Sequence, residues 1–102
     1  MAMLHTVNKS PFENRSLDSC LKFAVAGASV LLIEDGIFGA LKETALSAKL
    51  KVAMQNINLY VLGPDLKARG MEASKLIDGI KVVDYGGFVD LVAEHDKVQS
   101  WL

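Results

Sequence analysis

The sequence predicts an α/β protein, a small three-layer α/β/α sandwich around a mainly parallel sheet of about four strands. Three observations predict it. Short β-type runs alternate with helix-type segments along the chain. One run, Ala28 to Ile33, is almost continuously apolar, as suits a strand covered on both faces. The runs close in turn-forming residues, namely Asn8-Lys9-Ser10-Pro11, Glu34-Asp35-Gly36 and Gly63-Pro64-Asp65. Strands that alternate with helices join in parallel through right-handed crossovers.

Taken in order, Met3 to Val7 reads as the first strand and ends in the polar loop at Asn8. Ser16 is suited to cap a helix, with Asp18 in the following turn where it complements the helix dipole. Leu17, Cys20, Leu21 and Ala24 recur at helical spacing, and Gly27 supplies a stop. Ala28 to Ile33 is the second strand. From Ile37 to Met54 the pattern is helical but broken, with Ala40 and Leu41 in one piece and Leu46, Leu50 and Met54 in another. Ile57 to Leu62 is the third strand, and its Gly-Pro-Asp turn leads into a short helix, Leu66 to Arg69, ended by Gly70. Ile80 to Val83 is the fourth strand. Asp84 can cap a last helix in which Phe88, Leu91, Val92 and His95 share a face.

At 102 residues the chain has room for one domain, residues 1–102, with one modest core. A 51% share of hydrophobic residues favours a folded chain over a disordered one. The net charge of −1, from 11 basic and 12 acidic residues, gives no electrostatic reason to bind nucleic acid directly or to bind an anionic membrane. The most apolar stretch, Leu21 to Ile33, is interrupted by Lys22, Gly27 and Ser29 and is too short to span a bilayer. The polar turn at Asn8-Lys9-Ser10 cuts off the apolar run that a signal peptide needs, and a lone cysteine makes no internal disulfide. The expected compartment is the cytoplasm. A small sheet leaves edges or faces exposed, which other subunits could cover.

Cofactor chemistry lacks its usual signatures. There is no G-x-G-x-x-G or Walker-type loop, and no G-x-S-x-G elbow. Two histidines and one cysteine, far apart, do not read as a metal site. His5 lies inside the first strand, as a packed or edge residue would, and His95 closes the last helix. The strand ends carry Asn8, Lys9, Ser10, Glu34, Asp35, Gly63, Asp65, Asp84, Tyr85, Gly86 and Gly87, where ligands of open parallel sheets collect. The same residues also satisfy ordinary turn and cap chemistry.

Cys20 is the candidate nucleophile, and its pattern reads two ways. Near a helix start, with Arg15 and Lys22 close in sequence, a thiolate is favoured, and a thiolate is the form that accepts or passes sulfur. On the apolar stripe of Leu17, Leu21 and Ala24, the thiol would be buried and raised in pKa. The terminal pair Trp101-Leu102 is a candidate anchor for a neighbouring chain, or else docks on this chain's own core.

Several stretches together resemble the DsrH/TusB family of sulfur-relay proteins. They are Leu4-His5-Thr6-Val7-Asn8-Lys9-Ser10-Pro11-Phe12, then Leu31-Leu32-Ile33-Glu34-Asp35-Gly36, then Leu59 to Gly70. Val83-Asp84-Tyr85-Gly86-Gly87-Phe88-Val89 and Val98-Gln99-Ser100-Trp101-Leu102 complete the set. The resemblance implies a subunit of a heterohexamer, built with DsrE/TusD-like and DsrF/TusC-like chains, that passes persulfide sulfur to a DsrC/TusE-like carrier. It also implies that the principal sulfur-accepting cysteine lies on the DsrE/TusD-type chain, which would leave this chain an accessory role. The DsrEFH form serves dissimilatory sulfur oxidation, and the TusBCD form serves 2-thiolation of the wobble uridine in tRNA. A cysteine in the first helix, here Cys20, and the wording of the Gly63-Pro64-Asp65 block are more similar to the DsrH side, so sulfur oxidation is the expected branch. A stand-alone flavodoxin-like binding domain using the strand-end rim is a third, unrelated reading.

Overall fold

The computed structural model describes residues 3–102. Five parallel strands form one sheet in the order β4-β3-β2-β1-β5, with β1 at Met3–Val7, β2 at Ser29–Leu32, β3 at Asn58–Leu62, β4 at Lys81–Val83 and β5 at Lys97–Trp101. The helices are α1 (Ser16–Phe23), α2 (Ser47–Ala53), α3 (Gly63–Ala68) and α4 (Tyr85–Glu94), with a 3₁₀ segment at Glu34–Ala40 and a short 3₁₀ turn at Ala73–Lys75. No helix among the described residues is long and apolar enough to cross a membrane.

The parallel α/β sandwich expected from the sequence is therefore present, with one strand more than expected. β5 pairs with β1 from Met3 opposite Lys97 to Val7 opposite Trp101. Its sequence, Lys-Val-Gln-Ser-Trp, has no apolar run because an edge strand leaves part of its surface in water. Backbone pairing with β1 determines this strand, and local composition gives little sign of it.

Alternation along the strands sorts the core into two unequal layers. On one face Val7, Val30, Leu32, Leu59 and Val61 pack with Leu17 and Cys20 of α1, Ile37 and Ala40 of the 3₁₀ segment, Leu50 of α2 and Leu66 of α3. On the other face Leu4, Leu31 and Leu62 meet a single helix, α4, through Leu91, with Phe88, Tyr60 and Val83 packed around them. Each fully buried aliphatic side chain contributes about 1.5–3 kcal/mol by leaving water. Most of that gain lies on the first face.

The ends of the elements follow their chemistry, with two corrections. α3 begins at Gly63, so Gly63-Pro64-Asp65 forms its first turn, where proline fits, in place of a loop ahead of a helix at Leu66 to Arg69, and Arg69 is its C-cap. Ser16 is the first residue of α1 and not its cap; Arg15 holds the cap position without a side-chain hydrogen bond. The Asn14 carboxamide oxygen instead accepts from the Ser16 backbone N–H at 2.7 Å, a turn that Asn favours because its short side chain reaches two residues ahead. Asp84 does cap α4, accepting from the Gly87 N–H at 2.7 Å. The broken helical pattern between Ile37 and Met54 resolves into the 3₁₀ segment, a loop and α2. Gly36 has a steric role: a Cβ there would lie 2.2 Å from the Val7 carbonyl oxygen. Only glycine lets the 3₁₀ segment close over the end of β1.

Candidate functional site

Cys20 sits in the middle of α1, five residues into the helix counting Ser16 as the first, with no accessible surface. It belongs to the larger core layer with Leu17, Val30 and Leu50. Burial pushes its thiol up to about 12 from an ordinary 9.0, because the interior penalises the charged form. The shift runs opposite to the one expected for a helix-start thiolate. Arg15 is exposed, and Lys22 reaches the Asp18 carboxylate at 3.3 Å. With the helix closed, Cys20 is a protonated core thiol, and sulfur chemistry at it requires an opening.

The chain end bears on the same helix. Trp101 is half-buried at the end of β5, packs against the larger core layer, and donates its indole N–H to His5 Nδ1 at 3.0 Å. Phe23, the last residue of α1, lies edge-on to both rings, 5.8 Å from Trp101 and 6.1 Å from His5 between ring centres. At the other end of α1, the Ser16 hydroxyl lies 3.1 Å from the Leu102 carbonyl. The Leu102 side chain is 79% exposed. The three residues singled out in the sequence thus meet at α1, with Cys20 inside and contacts of the chain end on either side of it. An indole N–H only donates, so His5 Nδ1 is the acceptor and the imidazole is neutral with its proton on Nε2. Burial lowers the His5 pKa, which favours that same form.

The strand-end rim is largely spent on its own turns. The Asp65 carboxylate accepts from the Glu34 N–H at 2.7 Å, holding Glu34 at a φ of +48° that few non-glycine residues adopt. Arg69 Nε reaches Asp35 at 2.8 Å. The Ser10 carbonyl accepts from the N–H groups of Glu13 and Asn14. Among the described residues, Asn8 Oδ1 is the one buried side-chain polar atom without a hydrogen-bond partner. It follows β1 at the point where the strand order reverses between β1 and β5, the usual place for a ligand crevice in such sheets.

Two contacts gave no signal in the sequence. One is the His5–Trp101 bond, which joins residues far apart in the chain. The other is at His95, which is half-buried: its Nδ1 lies 2.6 Å from the Leu91 carbonyl and its Nε2 2.9 Å from the Ser29 hydroxyl. The carbonyl can only accept, so Nδ1 carries the proton and Nε2 accepts from Ser29. Ser29 is buried at the start of β2, and the pair clasps the end of α4 to the sheet. A hydroxyl and an imidazole at this distance resemble a nucleophile and its base, but a backbone carbonyl replaces the carboxylate and the serine is closed to solvent.

Comparison with known proteins agrees with this architecture. The family described as DsrH like protein matches residues 9–98. Protein TusB of Erwinia tasmaniensis is 41% identical over 100 residues, spanning 97% of this chain and all of that one. Protein TusB of Pectobacterium parmentieri is 34% identical over 99 residues with the same coverage. Among solved structures, the ychN protein of E. coli superposes with a TM-score of 0.84 at 17% identity over 98% of both chains. A protein from Methanobacterium thermoautotrophicum, MTH1491, gives 0.73 at 14% identity over 96% of this chain and 97% of that one. The structural matches establish the fold, and the sequence matches, which run nearly the whole length, establish more: the chain belongs to the DsrH/TusB family of sulfur-relay proteins.

Proposed function

We propose that this chain is the TusB-type subunit of a cytoplasmic sulfur-relay complex that serves 2-thiolation of the wobble uridine in tRNA. The observation that carries the proposal is its full-length similarity to chains named TusB. That similarity moves the reading from sulfur oxidation, the branch expected from the sequence, to tRNA thiolation. The partners are TusC-like and TusD-like chains and a TusE-like carrier, with the main sulfur-accepting cysteine on the TusD-like chain. The buried, protonated thiol of Cys20 supports an accessory role. With a net charge of −1, the chain reaches tRNA through its partners and not through a basic surface of its own. Leu102 serves as a contact with a neighbouring subunit, and Trp101 fixes the strand that carries it.

The test is a pull-down of the tagged chain from its native cell. TusC-like and TusD-like chains are expected among the captured proteins. Recovery of DsrE-like and DsrF-like chains in their place would overturn the tRNA branch.

One observation favours sulfur oxidation as a second reading, namely a cysteine in the first helix, a feature that resembles DsrH-type chains. On that reading Cys20 carries a transient persulfide once the complex opens α1. Incubation of the assembled complex with a persulfide donor, followed by intact mass with and without reductant, checks it. No reducible sulfur on Cys20, either in the complex or in the free chain, would refute the carrier role.

A further inference from the structure

The sheet order ends on β5, so one side of that strand faces β1 and the other faces no strand. The direction of its backbone groups follows from the pairing. The Val7 carbonyl accepts from the Ile33 N–H just past β2, so alternation along β1 turns the backbone groups of Leu4 and Thr6 toward β5. In a parallel pair such a residue bonds the two neighbours of its opposite number. Thr6 lies opposite Ser100, so Gln99 and Trp101 point their N–H and C=O groups at β1. Val98 and Ser100 point theirs outward, where these groups have no hydrogen-bond partner among the described residues.

Sheet edges are blunted in monomers by shortness, proline, a bulge or charge. The opposite edge, β4, is only three residues long. β5 pairs over five consecutive residues without a bulge, holds no proline, and carries its one charge, Lys97, at its first position. Apolar side chains border the open stretch on both faces of the sheet. Val98, opposite Leu4, is 45% exposed on the α4 face, where alternation also places the exposed Leu102. Phe23, 57% exposed, borders Trp101 on the α1 face.

A row of outward N–H and C=O groups fits one kind of occupant, an extended backbone. We propose that the outer edge of β5 pairs with β5 of a second copy of this chain, antiparallel about a two-fold axis at Ser100. In that register the two Ser100 residues exchange both backbone bonds, and each Leu102 N–H donates to the Val98 carbonyl of the other copy. Val98 then lies opposite Leu102 on both sides of the axis, which covers the two exposed apolar side chains of the α4 face with each other. Lys97 falls outside the paired stretch at either end, so no like charges meet. A register centred on Gln99 would set Val98 opposite Ser100 and Leu102 opposite Asp96, so the apolar match selects Ser100. A two-fold contact is closed, and association stops at the dimer. The proposal deepens the reading of Leu102 as a subunit contact by naming the neighbour, and its failure would leave the pull-down of unlike chains untouched.

The test uses the full chain. Sedimentation velocity across a concentration series should show a monomer–dimer equilibrium that grows no further. Amide exchange over the same series gives the residue-level signature. Gln99 and Trp101 are protected by β1 at every concentration, whereas exchange at Ser100 and Leu102 should slow by at least about tenfold only as the dimer forms. Ser100→Pro removes the central outward N–H without removing a bond to β1, and Val98→Lys puts a charge on the edge. Each should dimerise at least about tenfold more weakly. Trp101 emission checks folding, and Val98→Lys decides alone if the proline variant is unfolded. Under diamide, Ser100→Cys should cross-link into a dimer, because hydrogen-bonded antiparallel partners stand ~5.5 Å apart between Cα atoms, and Lys97→Cys should not. A wild type that stays monomeric at every concentration overturns the proposal. So does a dimer in which Ser100 exchange stays fast, or equal cross-linking at positions 97 and 100, or folded variants that dimerise like wild type. Protection of Ser100 only on adding a TusC-like chain would give the edge to that chain and overturn the second copy as its occupant.

Discussion

Cys20 is the single cysteine of the chain, so its reactivity can be read without ambiguity by intact mass. The perturbation is alkylation with iodoacetamide at neutral pH, comparing the folded chain with the same chain in urea. Only the thiolate reacts. Raising the thiol from 9.0 to about 12 lowers the thiolate fraction at neutral pH by about a thousandfold, and the closed core admits no reagent besides. The alternative route is transient opening, after which the thiol is ordinary. An opening that costs ~5 kcal/mol, the low end for small domains, keeps the open form at about one part in several thousand. Either route slows labelling by about a thousandfold or more relative to the unfolded chain. Labelling of the folded chain within about tenfold of the urea rate would refute the reasoning, since it would require an accessible and ionised Cys20 in the closed helix. Repeating the measurement with partner chains present asks whether assembly itself opens α1.

Three further outcomes follow from the packing. Gly36→Ala sets a Cβ against the Val7 carbonyl and should cost about 1–3 kcal/mol, read from the urea midpoint, because backbone and not a flexible side chain must give way. Ser29→Ala leaves His95 Nε2 without its donor and should cost about 1 kcal/mol, with faster amide exchange at the end of α4 as its local signature. Stability should also fall on acidification: the folded state holds His5 neutral with a lowered pKa, so the contribution is complete above the ordinary value of 6.5 and is lost as pH falls below it. Trp101 emission reports this transition directly, because a protonated His5 Nδ1 can no longer accept the indole N–H. An acid transition unchanged by His5→Gln would place its origin elsewhere.

The parts of this protein legible in the sequence are those set by local pattern. The buried strand Ser29–Leu32 is apolar at every position but its first because both faces are covered, and Asp84 marks the start of α4 by its capping chemistry. β5 was illegible because its partner is β1, which lies at the far end of the chain, and its own side chains are half in water. The start of α1 is legible only to within a residue, because Ser and Asn both capture backbone N–H groups and sequence does not say which one wins. For Cys20 the helix position and the apolar stripe point in opposite directions. Spacing alone cannot decide between them; the packing of α1 on Val30 and Leu50 does. His5, an ordinary strand residue by pattern, becomes specific only when Trp101 arrives from the other end of the chain.

The pairing of β1 with β5 has a consequence for how the fold assembles. Thr6 and Ser100, 94 positions apart in the chain, meet side by side at 3.3 Å between hydroxyls, whereas β1 to β2 and β2 to β3 join segments much nearer in the chain. Bringing distant segments together carries the larger entropic penalty, and contacts of long sequence separation slow folding. The first four strands of the chain can therefore zip up in order while β1 remains an open edge. During that interval β1 exposes unpaired backbone N–H and C=O groups and the flank of His5, a template for any other extended segment. The arrival of β5 ends the interval, and the indole of Trp101 then locks against the first strand of the chain.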